Sequence, residues 1–122
     1  TEVLNIVDVK SENLKRVQEG FYAVMHMPGG YGNWYTDDKM DAAGKTGTSQ
    51  SFIDTDNDGV IDTETITTSF IGYAPFNSPK VSFMITSPNC SHINGSTYDF
   101  VSLVNYRLTR EVTKKYYEMF GL

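Results

Sequence analysis

Two β-prone runs near the middle of the chain are separated by too few residues to hold a crossover helix. Residues 65–74 alternate between two faces, with Phe70 on one face and Ile71 on the other, and residues 81–87 alternate in the same way. The intervening residues 75–79 begin and end with proline, which is typical of a turn. Because parallel neighbours need a connection of about a dozen residues or more, the two runs are predicted to be antiparallel neighbours in one sheet.

A third β-prone run and two helical segments complete the predicted architecture. Residues 42–53 are mostly small or β-prone and end at an acidic turn. Residues 11–25 begin with Ser11 as a predicted N-cap and carry apolar side chains at helical spacing, which recurs over residues 101–119 up to Gly121. The predicted fold class is therefore α+β, with an N-terminal helix, a three-stranded antiparallel meander and a long C-terminal helix.

The two faces of the predicted sheet suggest that the chain is incomplete. Both helices are expected to cover one face, which leaves Ile71 and Met84 on the other face without a partner. Gly20 lies inside the first helix, where glycine is less favourable than alanine by roughly 1 kcal/mol, so close packing is expected against it. A further element that covers the second face is expected to lie outside these residues.

The charge balance is acidic, but the excess lies in one loop. The 122 residues carry 15 acidic and 10 basic side chains, and five of the acids lie between Asp54 and Glu64. A net charge of −5 argues against binding to a nucleic-acid backbone, so no nucleic-acid partner is expected. The single cysteine, Cys90, forms no internal disulfide, and no apolar run is long enough to span a membrane. Any targeting segment is expected in a portion outside this chain.

Lys45-Thr46-Gly47-Thr48 lies within the first predicted strand. A Lys-Thr-Gly triplet on a strand is one of three signatures of penicillin-binding proteins and serine β-lactamases, together with Ser-x-x-Lys and Ser-x-Asn. Residues 42–50 read AAGKTGTSQ, residues 70–75 read FIGYAP, and residues 79–81 read PKV. With the helix at residues 17–24, these strings make nearly the whole chain resemble the last part of a penicillin-binding transpeptidase. Residues 70–75 favour the class B group of that family.

The resemblance implies a partial serine β-lactamase/transpeptidase-like fold and a peptidoglycan D,D-transpeptidase that works through a serine acyl-enzyme. The amide of Thr48 is expected to form half of the oxyanion hole, beside a strand edge that pairs with the stem peptide. The hydroxyls of Thr46 and Thr48 are expected to hold the carboxylate of a D-Ala-D-Ala end or of a β-lactam. Gly47 leaves room for the substrate, Lys45 places positive charge beside the Ser-x-Asn hydroxyl, and no cofactor is implied for catalysis. The alternative is that Lys45 is a solvated lysine and the threonines are only β-formers.

The nucleophile that this chemistry requires is absent from the sequence. No Ser-x-x-Lys occurs, and the two Ser-x-Asn strings, residues 11–13 and 87–89, fall at a helix start and after the motif strand. Residues 1–122 are therefore expected to be a C-terminal fragment that supplies one wall of the cleft and is inactive alone. Its expected partners are the remainder of its own domain, the stem peptide and β-lactams. The parent protein is expected on the extracytoplasmic face of the bacterial membrane.

The acidic loop has most of a calcium-loop pattern. Oxygen ligands occur at loop positions one, three, five and nine, with glycine at position six. The predicted ligands of a structural calcium ion are Asp54, Asp56, Asp58, Val60, Asp62 and Glu64. Position twelve is Thr65, so Glu64 falls one residue short of the usual bidentate ligand. The alternative is a hydrated hairpin tip, since Asp58-Gly59 is itself a turn dipeptide. A non-catalytic calcium-binding surface module is accordingly the second functional hypothesis.

Overall fold

The structure is a computed structural model that describes residues 3, 5–30, 36, 38–90 and 97–121. Its elements are helix α1 (Ser11–His26), a 3-10 turn (Asp38–Met40), strands β1 (Ala43–Ile53), β2 (Thr63–Ala74) and β3 (Val81–Cys90), and helix α2 (Thr97–Phe120). The strands form one antiparallel sheet in the order β1-β2-β3. The predicted α+β class, the meander and the long C-terminal helix are confirmed.

Both hairpins contain longer strands than the alternation pattern predicted. β2 begins at Thr63 rather than at residue 65, because its pairing with β1 continues to Ile53 beside the acidic turn. β3 continues through Pro88 to Cys90, because its pairing with β2 resumes at Ile66 after an irregularity in the ladder. Backbone pairing with a neighbour thus extends strands through residues whose side chains alone do not predict them.

The helix α2 contacts one face of the sheet, whereas α1 contributes side chains to both faces, which corrects the expectation that both helices cover a single face. On the first face, the Asn105 side chain of α2 hydrogen-bonds Thr68 of β2. On the second face, Phe21 of α1 lines a cavity of about 430 Å³ together with Ile71 and Met84. Successive side chains alternate along a strand, so Thr68 and Ile71 belong to different faces. Ile71 is still 40% exposed and Met84 67% exposed, so α1 covers the second face only in part.

The core of the described residues lies at the end of the sheet where β1 begins. Phe70 of β2 and Met40 of the 3-10 turn are fully buried and cluster with Met25 of α1 and with Ala42. The ring of Phe70 stacks on that of Phe83, with centroids 6.0 Å apart. The residue that precedes β1 is therefore part of the core, so the Lys-Thr-Gly strand is anchored at its start.

The helix ends follow the sequence prediction at one terminus and not at the other. Lys10, not Ser11, is the N-cap of α1, and its side chain makes no capping hydrogen bond, so the predicted cap is wrong by one residue. Gly121 ends α2 as predicted, with a φ of 66° and an amide that donates to Tyr117 O at 2.9 Å. Among the described residues, neither helix is long and apolar enough to cross a membrane.

Two glycines are expected to respond in opposite ways to replacement by alanine. A Cβ at Gly44 would lie 2.6 Å from Phe70 Cζ and 2.7 Å from Ile71 O, so Gly44→Ala is expected to destabilise the fold by about 1–3 kcal/mol. A Cβ at Gly20 would meet nothing within 4 Å, so the close packing expected there is wrong. Gly20→Ala is expected to stabilise the helix by about 1 kcal/mol. Urea denaturation of the two variants tests this contrast, and a shift of both in one direction would contradict it.

Candidate active-site strand and acidic loop

The Lys45–Thr48 motif lies on an edge strand. Within the part of the chain that the structure describes, β1 pairs with β2 alone, so its second edge carries no strand. Lys45 pairs with Ile71, and Thr48 pairs with Thr68. An edge strand presents a row of backbone N–H and C=O groups that can pair with another extended chain. The motif is therefore paired with β2 on one side, and among the described residues no strand pairs with its other side.

The side chains of the motif divide between the two faces of the strand. Lys45 and Gly47 belong to one face, and Thr46 and Thr48 to the other. Lys45 is exposed, and its Nζ donates to Thr46 O at 2.8 Å and lies 3.5 Å from Thr46 Oγ1. A Cβ at Gly47 would lie 2.6 Å from Ser69 Oγ, so the glycine relieves crowding against β2. One cation and two hydroxyls thus lie within four residues of an accessible strand.

The start of β1 is tied to α1 by two side chains, Tyr22 and His26, that lie outside the Lys45–Thr48 motif and the acidic loop. His26 Nε2 hydrogen-bonds Ala42 O at 2.9 Å, just before the strand begins. Tyr22 stacks on His26, with ring centroids 3.9 Å apart. Burial raises the pKa of the Tyr22 phenol, and the Asp41 carboxylate adds to this increase. The i,i+4 spacing of the two rings is visible in the sequence, but their contact with residue 42 depends on the fold.

Both Ser-x-Asn strings occupy structural positions. Ser11 is the first residue of α1 and is exposed. Ser87 Oγ donates to Asn105 Oδ1 at 2.6 Å, and the Asn89 amide donates to Thr67 Oγ1 at 3.2 Å. The hydroxyl of Ser87 is thus engaged in holding α2 against the sheet.

The acidic loop forms the tip of the β1–β2 hairpin and brings together three of the predicted calcium ligands. One carboxylate oxygen from each of Asp54, Asp56 and Asp58 lies within 4.8 Å of the others. Asp54 also accepts the amides of Asn57 at 2.7 Å and Gly59 at 2.8 Å. The Gly59 amide is the main cause that lowers the pKa of Asp54. The folded loop therefore favours the charged form of Asp54. The resulting contribution to folding stability is fully present above the ordinary pKa of an aspartate, and it is lost as the pH falls through the lowered pKa.

The other three predicted ligands make different contacts. Asp62 Oδ1 accepts a hydrogen bond from Thr63 Oγ1 at 2.9 Å, and Glu64 Oε1 accepts one from Gln50 Nε2 at 2.8 Å. The Val60 amide donates to Asp58 Oδ1 at 2.7 Å. The loop thus offers a hard cation three closely spaced carboxylates at loop positions one, three and five.

Comparison with known proteins relates this geometry to one family. Residues 1–117 match the sequence profile described as "Penicillin binding protein transpeptidase domain". The chain is 34% identical over 118 residues to penicillin-binding protein 2A of Bacillus subtilis strain 168, and 34% identical over 88 residues to penicillin-binding protein H of that strain. The first alignment covers 97% of this chain and 16% of the relative, and the second covers 72% and 12%.

A solved structure shares the same fold. Penicillin-binding protein 2B from Streptococcus pneumoniae strain R6 matches with a TM-score of 0.72 and 21% sequence identity. The match covers 98% of this chain and 18% of that chain. Residues 1–122 therefore span less than a fifth of each of these proteins.

Proposed function

The chain belongs to the penicillin-binding protein transpeptidase domain family, and we propose that it is the C-terminal part of the transpeptidase domain of a class B member. The parent protein cross-links peptidoglycan stem peptides outside the cytoplasmic membrane and binds β-lactams. The observation that carries this proposal is the Lys45–Thr48 motif on an accessible edge strand, within a chain of this family. The chain supplies one wall of the cleft and is inactive without the rest of its domain.

The proposed reaction is acyl transfer between stem peptides. A serine outside residues 1–122 attacks the carbonyl carbon of the penultimate D-alanine and gives up its hydroxyl proton. The amide C–N bond breaks, and the terminal D-alanine leaves as an amine that has gained a proton. An amine of a second stem peptide then attacks the acyl-serine ester, which forms the cross-link and returns a proton to the serine. A β-lactam follows the first half of this sequence and remains as an ester on the serine.

The motif strand supplies positioning and charge for this reaction. The amide of Thr48 donates to the oxyanion of the tetrahedral intermediate, and one such donor is worth about 3–4 kcal/mol. The hydroxyls of Thr46 and Thr48 bind the substrate carboxylate, and the ammonium of Lys45 attracts the same negative charge and assists proton transfer. The stem peptide lies along the free edge of β1 as an added strand, with Gly47 giving it room.

Labelling with a fluorescent penicillin tests the proposed function. The full-length protein is expected to become covalently labelled at a serine that precedes Thr1 in its sequence, and peptide mapping identifies that serine. The same label on residues 1–122 alone is expected to leave the chain unmodified, since the nucleophile is absent. A full-length protein that no β-lactam labels would overturn the transpeptidase assignment.

The acidic loop supports calcium binding as a second, structural property, which would also be the basis of a non-catalytic calcium-binding module. Three carboxylates within 4.8 Å of one another repel, and a hard divalent cation relieves that repulsion. We expect calorimetric titration of the full-length protein with calcium to show binding that the double variant Asp54→Asn/Asp58→Asn loses. Asp8→Asn, which removes an exposed acid far from the loop in sequence, serves as the control. No heat and no change in melting temperature at millimolar calcium would leave only the hydrated hairpin tip.

A further inference from the structure

One buried amide on α2 joins two strands behind the Lys-Thr-Gly strand. Asn105 is 2% exposed, its Nδ2 donates to Thr68 Oγ1 at 2.7 Å, and its Oδ1 accepts from Ser87 Oγ at 2.6 Å. Thr68 is itself only 5% exposed. The side-chain nitrogen and oxygen of Asn105 thus each have a hydrogen-bond partner. In a buried environment, an unpaired polar atom would reduce the stability of the fold. Such a contact specifies one arrangement of helix against sheet.

The bridged residues belong to a single row across the sheet. Thr68 of β2 pairs with Thr48 of β1 on one side and with Ser87 of β3 on the other. Asn105 therefore holds two members of a row whose third member is the residue proposed to donate to the oxyanion. The side chains of a directly opposed pair lie on the same face, so Thr48 and Thr68 are neighbours in both backbone and side chain.

A β-bulge adjoins this row. Between the pairs Thr68↔Ser87 and Ile66↔Cys90, two steps along β2 match three steps along β3. Asn89, within the extra segment, has a φ of 49°, in the left-handed region. A bulge bends a strand and changes the direction of its side chains. The pairing register beside a bulge is therefore more secure where a further contact joins the two strands. The bridge made by Asn105 lies at the last regular row before the bulge.

We propose that Asn105 is a positioning residue for the acylation reaction, an inference that rests on the proposed transpeptidase function. Asn105 hydrogen-bonds both Thr68 and Ser87 beside the bulge, and it thereby fixes the position of β2 relative to Thr48, which pairs with Thr68. The backbone amide of Thr48 is thereby held in the position from which it donates to the developing oxyanion. Donors of this kind act through fixed geometry, so a displacement of the strand weakens them without removing them.

Substitutions at the two ends of the bridge test this role in the full-length protein. Asn105→Leu and Thr68→Val both break the arm to β2, whereas Thr68→Ser keeps the hydroxyl that accepts from Asn105. Thr113→Val is the matched control, because Thr113 is also buried on α2. Among the described residues, its hydroxyl bonds within the helix, to Thr109 O at 2.7 Å and to Arg110 O at 3.2 Å. The readout is the rate constant for acylation by a fluorescent penicillin, normalised to the folded protein measured by circular dichroism.

The expected result is a loss of acylation rate that stability alone does not explain. Asn105→Leu and Thr68→Val are expected to acylate at least about tenfold more slowly, less than the about 10²–10³-fold cost of deleting an oxyanion donor. Thr68→Ser is expected to recover most of the rate. Thr113→Val is expected to acylate at the wild-type rate even if its melting temperature falls.

Four outcomes would overturn the inference. Wild-type rates in the folded fraction of Asn105→Leu and Thr68→Val would show that the bridge only stabilises the fold. An equal loss in Thr113→Val would show a general effect of weakening α2. If Asn105→Leu does not fold, the comparison of Thr68→Val with Thr68→Ser decides alone, and equal rates in these two would also overturn it. A wild-type protein that no β-lactam labels would instead refute the proposed function, and this inference with it.

Discussion

Replacing Lys45 with alanine in the full-length protein is expected to slow acylation by a β-lactam about 10²–10⁴-fold, the usual cost of losing a side chain that assists proton transfer. The physical reason is the location of the ammonium, which hydrogen-bonds Thr46 O at 2.8 Å and lies within the motif proposed to receive the substrate carboxylate. Lys45 is exposed and buries little surface, so the fold is expected to remain intact. Stopped-flow measurement with a chromogenic or fluorescent β-lactam gives the rate.

Two further lysine substitutions distinguish a specific role of Lys45 in the site from a general effect of removing a positive charge. Lys80→Ala removes another exposed cation, in the β2–β3 turn, and it is expected to leave the rate unchanged. Lys45→Arg keeps the charge but replaces a compact ammonium with a planar guanidinium, so only partial activity is expected. Equal rates for Lys45→Ala and the wild type would show that Lys45 is a solvated strand lysine.

Replacing Phe70 with alanine is expected to destabilise the fold by about 3–5 kcal/mol, the cost of deleting a fully buried phenylalanine. Phe70 belongs to the same buried cluster as Ala42, and it pairs with Thr46 between β2 and β1. Since a domain is stable by only about 5–15 kcal/mol, this loss also reduces the amount of protein that binds penicillin at 37 °C. Urea denaturation followed by retained penicillin labelling measures both effects.

Phe52→Ala provides the matched control for this substitution. Phe52 is the same residue type in the same hairpin, but it is 61% exposed near the acidic tip. Its replacement is expected to change the free energy of unfolding by no more than about 0.5 kcal/mol. A similar loss of stability in both variants would contradict the core position assigned to Phe70.

The strands were predictable from local pattern because alternation of side chains follows directly from the backbone geometry of a strand. Residues 65–74 and 81–87 alternate clearly, and the short turn between them leaves an antiparallel pair as the outcome. The extra residues of β2 and β3 were not predictable in this way. Glu64 and Pro88 are of residue types that are depleted in strands, yet they lie in β2 and β3 because these strands continue to pair with a neighbour.

The candidate site divides in the same manner. The Lys45–Thr48 motif and the acidic loop are contiguous stretches, so their residue types and spacing are legible without a fold. The sequence does not show which carboxylates of the loop lie close together in the folded protein. Asp62 forms a hydrogen bond with its neighbour Thr63, and Glu64 enters β2 opposite Phe52 and hydrogen-bonds Gln50, so neither joins the cluster of three.

The sequence by itself determined the order of helices and strands, the edge motif and the resemblance to a family, because each depends on residues close together along the chain. The tertiary structure alone decided that Phe21 of α1 lies beside Ile71 on the second face, that His26 ties α1 to Ala42, and that Asn105 bridges Thr68 and Ser87. The apolar stripe of α1 fits either face of a sheet, and Asn105 lies 37 residues from Thr68 along the chain. Such contacts form only when the whole core packs, since the burial of distant residues against each other sets them rather than any local preference.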